Sequence, residues 1–195
     1  MINYWKIGCE YLLKKDANFM NYYNSNHFLK LNKNRFDVLF KSICSQQISV
    51  SAASSIYINS KKIIGSVNYN NFKNNISKIE KLPLSKNKKK SIKSIITNYK
   101  LVRKIKSLNP DLKEIEDLTT IFGIGKWTVD MFSIFHFGLP NILPLGDLGF
   151  INAYKKYYKD PKLKNLKKNS EIWSNYSTIV TWYLWSSYDS EPLYL

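Results

Sequence analysis

Apolar residues recur at three- and four-residue spacing along most of this chain. Phe36, Leu39, Phe40 and Ile43 fall on one helical face, as do Ile92, Ile95, Ile96, Tyr99 and Val102. Ile115, Leu118 and Phe122 form a third such stripe, and Trp173, Tyr176, Ile179, Val180 and Tyr183 a fourth. Side chains so spaced lie along one side of a 3.6-residue helix and need a neighbour to cover them, so the pattern predicts an all-α fold. Residues 24–31 carry the one hint of extended structure. Gly65, Pro83, Pro110, Gly138-Leu139-Pro140 and Pro144 punctuate the helical stretches, with Ser85, Asp111 and Asn169 as candidate caps. The chain shows neither an internal repeat nor a linker.

Composition narrows the class. A chain of 195 residues with 44% hydrophobic content buries a real core, as one domain or two closely packed lobes. A formal net charge of +16 favours a polyanionic partner, although a Lys-, Asn- and Ile-rich composition also follows from biased codon usage. Cys9 and Cys44 are the only cysteines; both sit in apolar helical patterns and read as reduced, buried residues. Two thiolates cannot hold an iron-sulfur cluster, and His27 and His136 lack partners at metal-ligand spacing, so no metal site is expected. With no secretory segment and no apolar run long enough for a bilayer, the expectation is a soluble, cytoplasmic protein without membrane partners. Phosphate-loop, hydrolase-elbow and zinc patterns are lacking too.

Residues 118–150 read LTTIFGIGKWTVDMFSIFHFGLPNILPLGDLGF. Gly123-Ile124-Gly125 is a glycine hairpin between two helical stretches; it allows a tight turn and leaves amides facing outward, where a phosphate can sit. Asp147 follows one helix and one turn later. This segment, with YWKIGCEYLLKKD from Tyr4, RFDVLFKSICSQQISVSAASSIY from Arg35, LPLSKNK from Leu82 and WSNYSTIVTWYLW from Trp173, resembles the helix-hairpin-helix DNA glycosylase superfamily, and within it the DNA-3-methyladenine glycosylase II type.

The resemblance implies a two-lobed helical fold, with the terminal segments in one lobe, the middle of the chain in the other, and the active-site cleft between them. It implies a single glycosylase domain over residues 1–195, the hairpin at about 118–135 and the catalytic segment at about 144–150. One family member carries an extra N-terminal β-rich domain; this chain starts at the helical portion, so the catalytic core alone is expected. The implied activity is base excision repair: an alkylated purine of the 3-methyladenine type is flipped out of duplex DNA and its N-glycosidic bond hydrolysed, leaving an abasic site. The implied partner is double-stranded DNA containing alkylated bases, bound by a monomer, and the implied place of work is the nucleoid.

By resemblance Asp147 is the catalytic aspartate. Breaking an N-glycosidic bond builds positive charge on the sugar, which a fixed carboxylate stabilises more than it stabilises the ground state. Asp after Gly and before an apolar run is also an ordinary helix cap, and the two roles are compatible. Strand-nicking members of the superfamily have a lysine where this chain has Trp127; Lys126 is one position early, turned by about 100 degrees on a helix, so no lyase activity is expected. Trp127 otherwise reads as core, but by resemblance it lines the base pocket, where an electron-rich ring attracts a cationic alkylated base. Trp5, Tyr22, Tyr23, Phe28 and Phe36 are further candidate walls, most of them core. Gln46 or Gln47 is implied at or next to the wedge that fills the gap left by the flipped base, or in contact with the opposite strand; polar residues at a helix end are otherwise simply solvated. Gly123, Gly125 and the Thr128 amide form the implied phosphate-binding group, with Lys126 as charge partner, although Thr128 also reads as a cap of the following helix. The run from Lys86 to Lys90 reads either as a solvated helix start or as a phosphate-facing edge, and the resemblance favours the second, at Lys88. A monovalent cation on the hairpin carbonyls is the one ion the resemblance leaves open. The chain departs from the family at Phe122 and Ser174, both usually proline, and at Asn141, commonly aspartate. The alternatives are a glycosylase for oxidised or mismatched bases, which the missing lysine and cysteines disfavour, and a non-catalytic DNA-binding module, which Asp147 disfavours.

Overall fold

The structure is a computed structural model that describes residues 4–188. Among these the elements are helical and there is no strand. Residues 24–31 form a turn, closed by His27 N–H on the Asn24 carbonyl (3.0 Å), followed by irregular chain. The Asn24 side chain accepts from Asn26 N–H (3.0 Å), a local bond that competes with a strand ladder. No helix among the described residues is long and apolar enough to cross a membrane.

The chain divides into two compact units: one combines residues 4–31 with 138–188, and the other is the continuous segment Asn32–Phe137. In the first, α1 (Trp5–Lys15), α9 (Leu148–Tyr157) and α10 (Leu166–Ile172) accompany α11 (Ser177–Tyr188). Every residue of α11 from Ser177 to Trp185 is buried, so this helix is covered all round rather than along one stripe. α1 comes close to α11 at Gly8, where a Cβ would lie 2.3 Å from Ile179 Cδ1. The Asp16 carboxylate, 5% exposed at the end of α1, accepts from the Tyr158 hydroxyl, Trp173 Nε1 (2.7 Å) and Asn18 N–H (3.0 Å). Three donors offset the cost of burying a charge, and they join the start of the chain to segments more than 140 residues away. Asn169 is not a cap: it lies inside α10 and gives its amide to the Tyr154 hydroxyl (2.9 Å).

The second unit is built on α2 (Arg35–Ser45), of which all but Arg35, Lys41 and Ser45 are buried. It packs against α3 (Val50–Ile64), α5 (Lys86–Thr97) and α8 (Lys126–Phe132). α4 (Tyr69–Asn74) contributes Phe72, whose ring lies 4.8 Å from Phe36 and 5.0 Å from Phe40. The apolar run from Ile92 to Val102 is broken at Asn98 into α5 and α6 (Tyr99–Lys104). Ser85 caps α5 and Asp111 caps α7 (Leu112–Glu116), each accepting an N–H of the first turn. Arg35 clamps the end of α6 by donating to the carbonyls of Val102 (2.6 Å), Arg103 (3.1 Å) and Ile105 (2.6 Å). Its Nε–H also reaches His136 Nε2 (3.1 Å), while His136 Nδ1 faces the Asn32 carbonyl (2.8 Å). Burial lowers the pKa of His136, which serves here as a neutral packing residue.

Candidate functional site

The hairpin lies in the second unit and is fixed from two sides. Gly123 has φ +89, a left-handed conformation that L side chains rarely adopt, and a Cβ there would fall 1.9 Å from Ser91 Oγ and 2.3 Å from Ser91 Cβ. α5 therefore closes directly beneath the turn. Ile124 N–H bonds the Ile121 carbonyl (3.0 Å), and Gly125 caps α8, whose first helical bond runs from Val129 N–H to Gly125 O (3.1 Å). α8 continues into a π-helical turn over Ser133–Phe137. From α2, Gln46 donates its side-chain amide to Gly123 O (2.9 Å) and to Thr128 Oγ1 (3.1 Å). Gln46, Gly123 and Thr128 are thus one hydrogen-bonded group, with the Thr128 hydroxyl buried and its amide in the first turn of α8.

The neighbouring Gln47 is exposed with φ +60, so the two glutamines part: Gln46 turns inward to the hairpin and Gln47 stands at the tip between α2 and α3. Lys126 holds Asp130 Oδ1 at 2.5 Å; burial raises the Asp130 carboxyl's pKa and the ammonium opposes that rise. Lys88, expected on a phosphate, has its ammonium on the Cys44 carbonyl (2.8 Å) at the end of α2. Trp127, the second residue of α8, is half-buried. Ile121 O and Gly123 O each already accept one protein donor, and a carbonyl oxygen has a second lone pair with which a monovalent cation could be held.

Asp147 belongs to the first unit. A turn from Asp147 N–H to Pro144 O (2.9 Å) delivers it to the N-cap of α9, where Oδ1 accepts from Phe150 N–H at 2.7 Å. The same oxygen accepts from Trp185 Nε1 on α11 at 2.9 Å. Gly149 makes room for this arrangement, since a Cβ there would lie 3.1 Å from Oδ1 and 3.6 Å from the indole. The carboxylate is therefore oriented both by its own helix and by a tryptophan on another. Sequence reasoning missed Trp185, because nothing in a helical stripe marks which indole N–H faces a residue 38 positions earlier. Gly149, a small residue two positions after the aspartate, was the available sign.

Among the five aromatics considered as pocket walls, Tyr22 and Phe36 are core. Trp5, Tyr23 and Phe28 line a cavity of about 220 Å³ in the first unit together with Cys9, Glu10 and Tyr183. Burial pushes the Cys9 thiol up to about 11 and the Cys44 thiol up to about 12, and both are unpaired with each other. No group of three or more His, Cys, Asp or Glu side chains suited to a metal ion occurs among the described residues.

No family model matches the chain. It is similar to solved structures of a DNA-3-methyladenine glycosidase from Bacillus halodurans (TM-score 0.71, 26% identity, 94% of this chain and 89% of that one) and of a 3-methyladenine DNA glycosylase from Schizosaccharomyces pombe in complex with abasic DNA (TM-score 0.75, 25% identity, 92% and 95%). These likenesses show that the chain has the fold of 3-methyladenine DNA glycosylases, and they support the helix-hairpin-helix glycosylase superfamily as its class. In sequence it resembles DNA-3-methyladenine glycosylase 1 of Schizosaccharomyces pombe, 40% identical over 76 residues. That match spans 37% of this chain and only 33% of the length of that relative. The DNA-3-methyladenine glycosylase of Saccharomyces cerevisiae is 27% identical over 96% of this chain and 72% of its own length.

Proposed function

We propose that this protein is a monofunctional DNA glycosylase of base excision repair. It takes alkylated purines of the 3-methyladenine type out of duplex DNA and hydrolyses the N-glycosidic bond without nicking the strand. The observation that carries the reading is Asp147, a carboxylate held at Oδ1 by Phe150 N–H and Trp185 Nε1–H in a chain whose fold neighbour binds abasic DNA. As the base departs with the bonding pair, positive charge spreads over the sugar C1′ and ring oxygen. A carboxylate already oriented stabilises that charge without reorganising, and it orients the attacking water, which loses a proton as the hydroxyl adds to C1′. A base alkylated at ring nitrogen is cationic and leaves as a neutral molecule, so little acid catalysis is needed. The hairpin amides at Gly123 and Gly125 and in the first turn of α8 hold a backbone phosphate, Gln47 enters the stack in place of the flipped base, and Trp127 contributes an aromatic wall of the base pocket.

Strand cleavage through a Schiff base requires a neutral amine aimed at the sugar. Lys126 is committed to Asp130, and Trp127 occupies the position of the missing nucleophile. The test is release of free 3-methyladenine and 7-methylguanine from methylated duplex DNA, with strand integrity scored before and after alkali. Release with nicks only after alkali supports the proposal; no release from any alkylated duplex, or nicking without alkali, contradicts it. Replacing Trp185 by Phe keeps a ring on α11 but removes the N–H that orients Asp147. Its kcat is expected to fall by about tenfold, the scale of one hydrogen bond to a charged group, and an unchanged kcat would show that the indole N–H is not needed to orient the carboxylate.

A further inference from the structure

Three lysines stand close to the hairpin in sequence or in space, and the structure separates their roles. Lys88 is turned inward, its ammonium on the Cys44 carbonyl, and burial lowers its pKa. Lys126 lies against the buried Asp130 carboxylate, so the pair presents little net charge to a ligand. Lys90 differs from both. Two positions after Lys88, it is rotated by about 200 degrees around α5. It adjoins Ser91, which lies directly under Gly123. Its ammonium sits 4.4 Å from the ring centroid of Phe122, the residue immediately before Gly123. The salt bridges among the described residues do not include it.

Phe122 leaves its ring 46% exposed beside the turn. An aromatic face attracts an ammonium through its quadrupole but carries no net charge, so it fixes the position of the cation without neutralising it. A carboxylate in the same place would cancel the field that a phosphate needs. Proline, the residue usual here in the resembling family, offers no such face.

Resting on the DNA reading above, we infer that Lys90 supplies the phosphate-binding charge of the hairpin and that Phe122 is the residue that positions it. The ligand is the backbone of duplex DNA, met where the hairpin amides meet it, with the ammonium as a second, electrostatic contact to the same strand.

The experiment is the salt dependence of binding to a duplex containing a tetrahydrofuran abasic analogue, read by fluorescence anisotropy for the wild type and four variants, with thermal melts to establish that each is folded. Lys90→Gln is expected to weaken binding roughly fivefold and to lower the slope of log K against log salt by about 0.9, the value of one phosphate contact. Lys88→Gln is expected to lower the melting temperature and leave the slope in place. Phe122→Leu keeps every charge but removes the ring face, and is expected to weaken binding by roughly two- to threefold, whereas Phe122→Tyr retains wild-type binding. A steep wild-type slope that Lys90→Gln leaves unaltered overturns the role of Lys90, and so does a loss of slope in Lys88→Gln alone. Wild-type affinity in Phe122→Leu overturns the positioning role. A wild type whose affinity is flat in salt instead sinks the DNA reading itself, and this inference with it.

Discussion

Asp147→Asn is expected to lower the rate of 3-methyladenine release by about two to three orders of magnitude while the protein folds and binds abasic duplex as before. The asymmetry follows from the hydrogen bonds. The Phe150 amide and the Trp185 indole, which donate to Oδ1, are N–H groups that an asparagine carbonyl oxygen satisfies equally well. Asparagine is also as good an N-cap as aspartate, so α9 keeps its start. On the proposed function, what disappears is the negative charge that faces the sugar as the base leaves. Asp147→Ala removes cap and charge together and should cost about 1 kcal/mol of stability besides, which a thermal melt separates from the catalytic loss. Base release from the asparagine variant within a few-fold of wild type would mean that another group bears the charge.

Gly123→Ala is expected to cost about 3 kcal/mol of stability, seen as a fall in Tm on the order of 10 °C, and to weaken DNA binding as the turn shifts. Two causes add. The φ of +89 is unfavourable for any L side chain, and the new methyl meets Ser91 Cβ at 2.3 Å, a position that no rotation of the serine hydroxyl relieves. Ser91→Gly in the same chain removes the second cause but not the first. A double-mutant cycle should therefore show a favourable coupling of about 1–2 kcal/mol between the two sites. Strict additivity would show that α5 is free to back away from the hairpin.

α2 is buried well beyond its apolar stripe, but α5 buries one side and the spacing of its isoleucines reports it, so part of the second unit is legible in the pattern of apolar residues. The break at Asn98 is not, since Ile92 to Val102 continues a helical stripe across it and the Arg35 clamp on the carbonyls beyond comes from a distant segment. α11 reads as an ordinary amphipathic stripe, whereas in the structure it is enclosed on all sides, a property of its neighbours rather than of its own sequence. The cap role of Asp147 is visible in Pro144-Leu145-Gly146-Asp147 before an apolar run. Its second donor is not, because a 38-residue separation leaves no periodic trace. The lysine run at residues 86–90 shows the same limit. Its charge is plain, but which ammonium faces the carbonyls of α2 and which the hairpin depends on how α5 is rotated, and the deciding residues are Cys44 and Phe122 on other elements.

The Asp16 carboxylate has a consequence for how the protein is made. Its partners Tyr158 and Trp173 lie 142 and 157 positions further on, and Trp5 meets Tyr183 across 178. On the ribosome, residues 4–31 emerge before their partners in residues 138–188 and wait for them, whereas the whole of Asn32–Phe137 has been translated before those partners appear. At ordinary elongation rates that wait lasts roughly ten seconds, during which Trp5, Leu12 and Phe19 remain uncovered and open to chaperones. The non-local pairing also predicts that the first unit closes more slowly than the second in refolding. The carboxylate at Asp147 then gains its indole donor only once α11 has been made, so its orientation is completed 38 residues after Asp147 itself is translated.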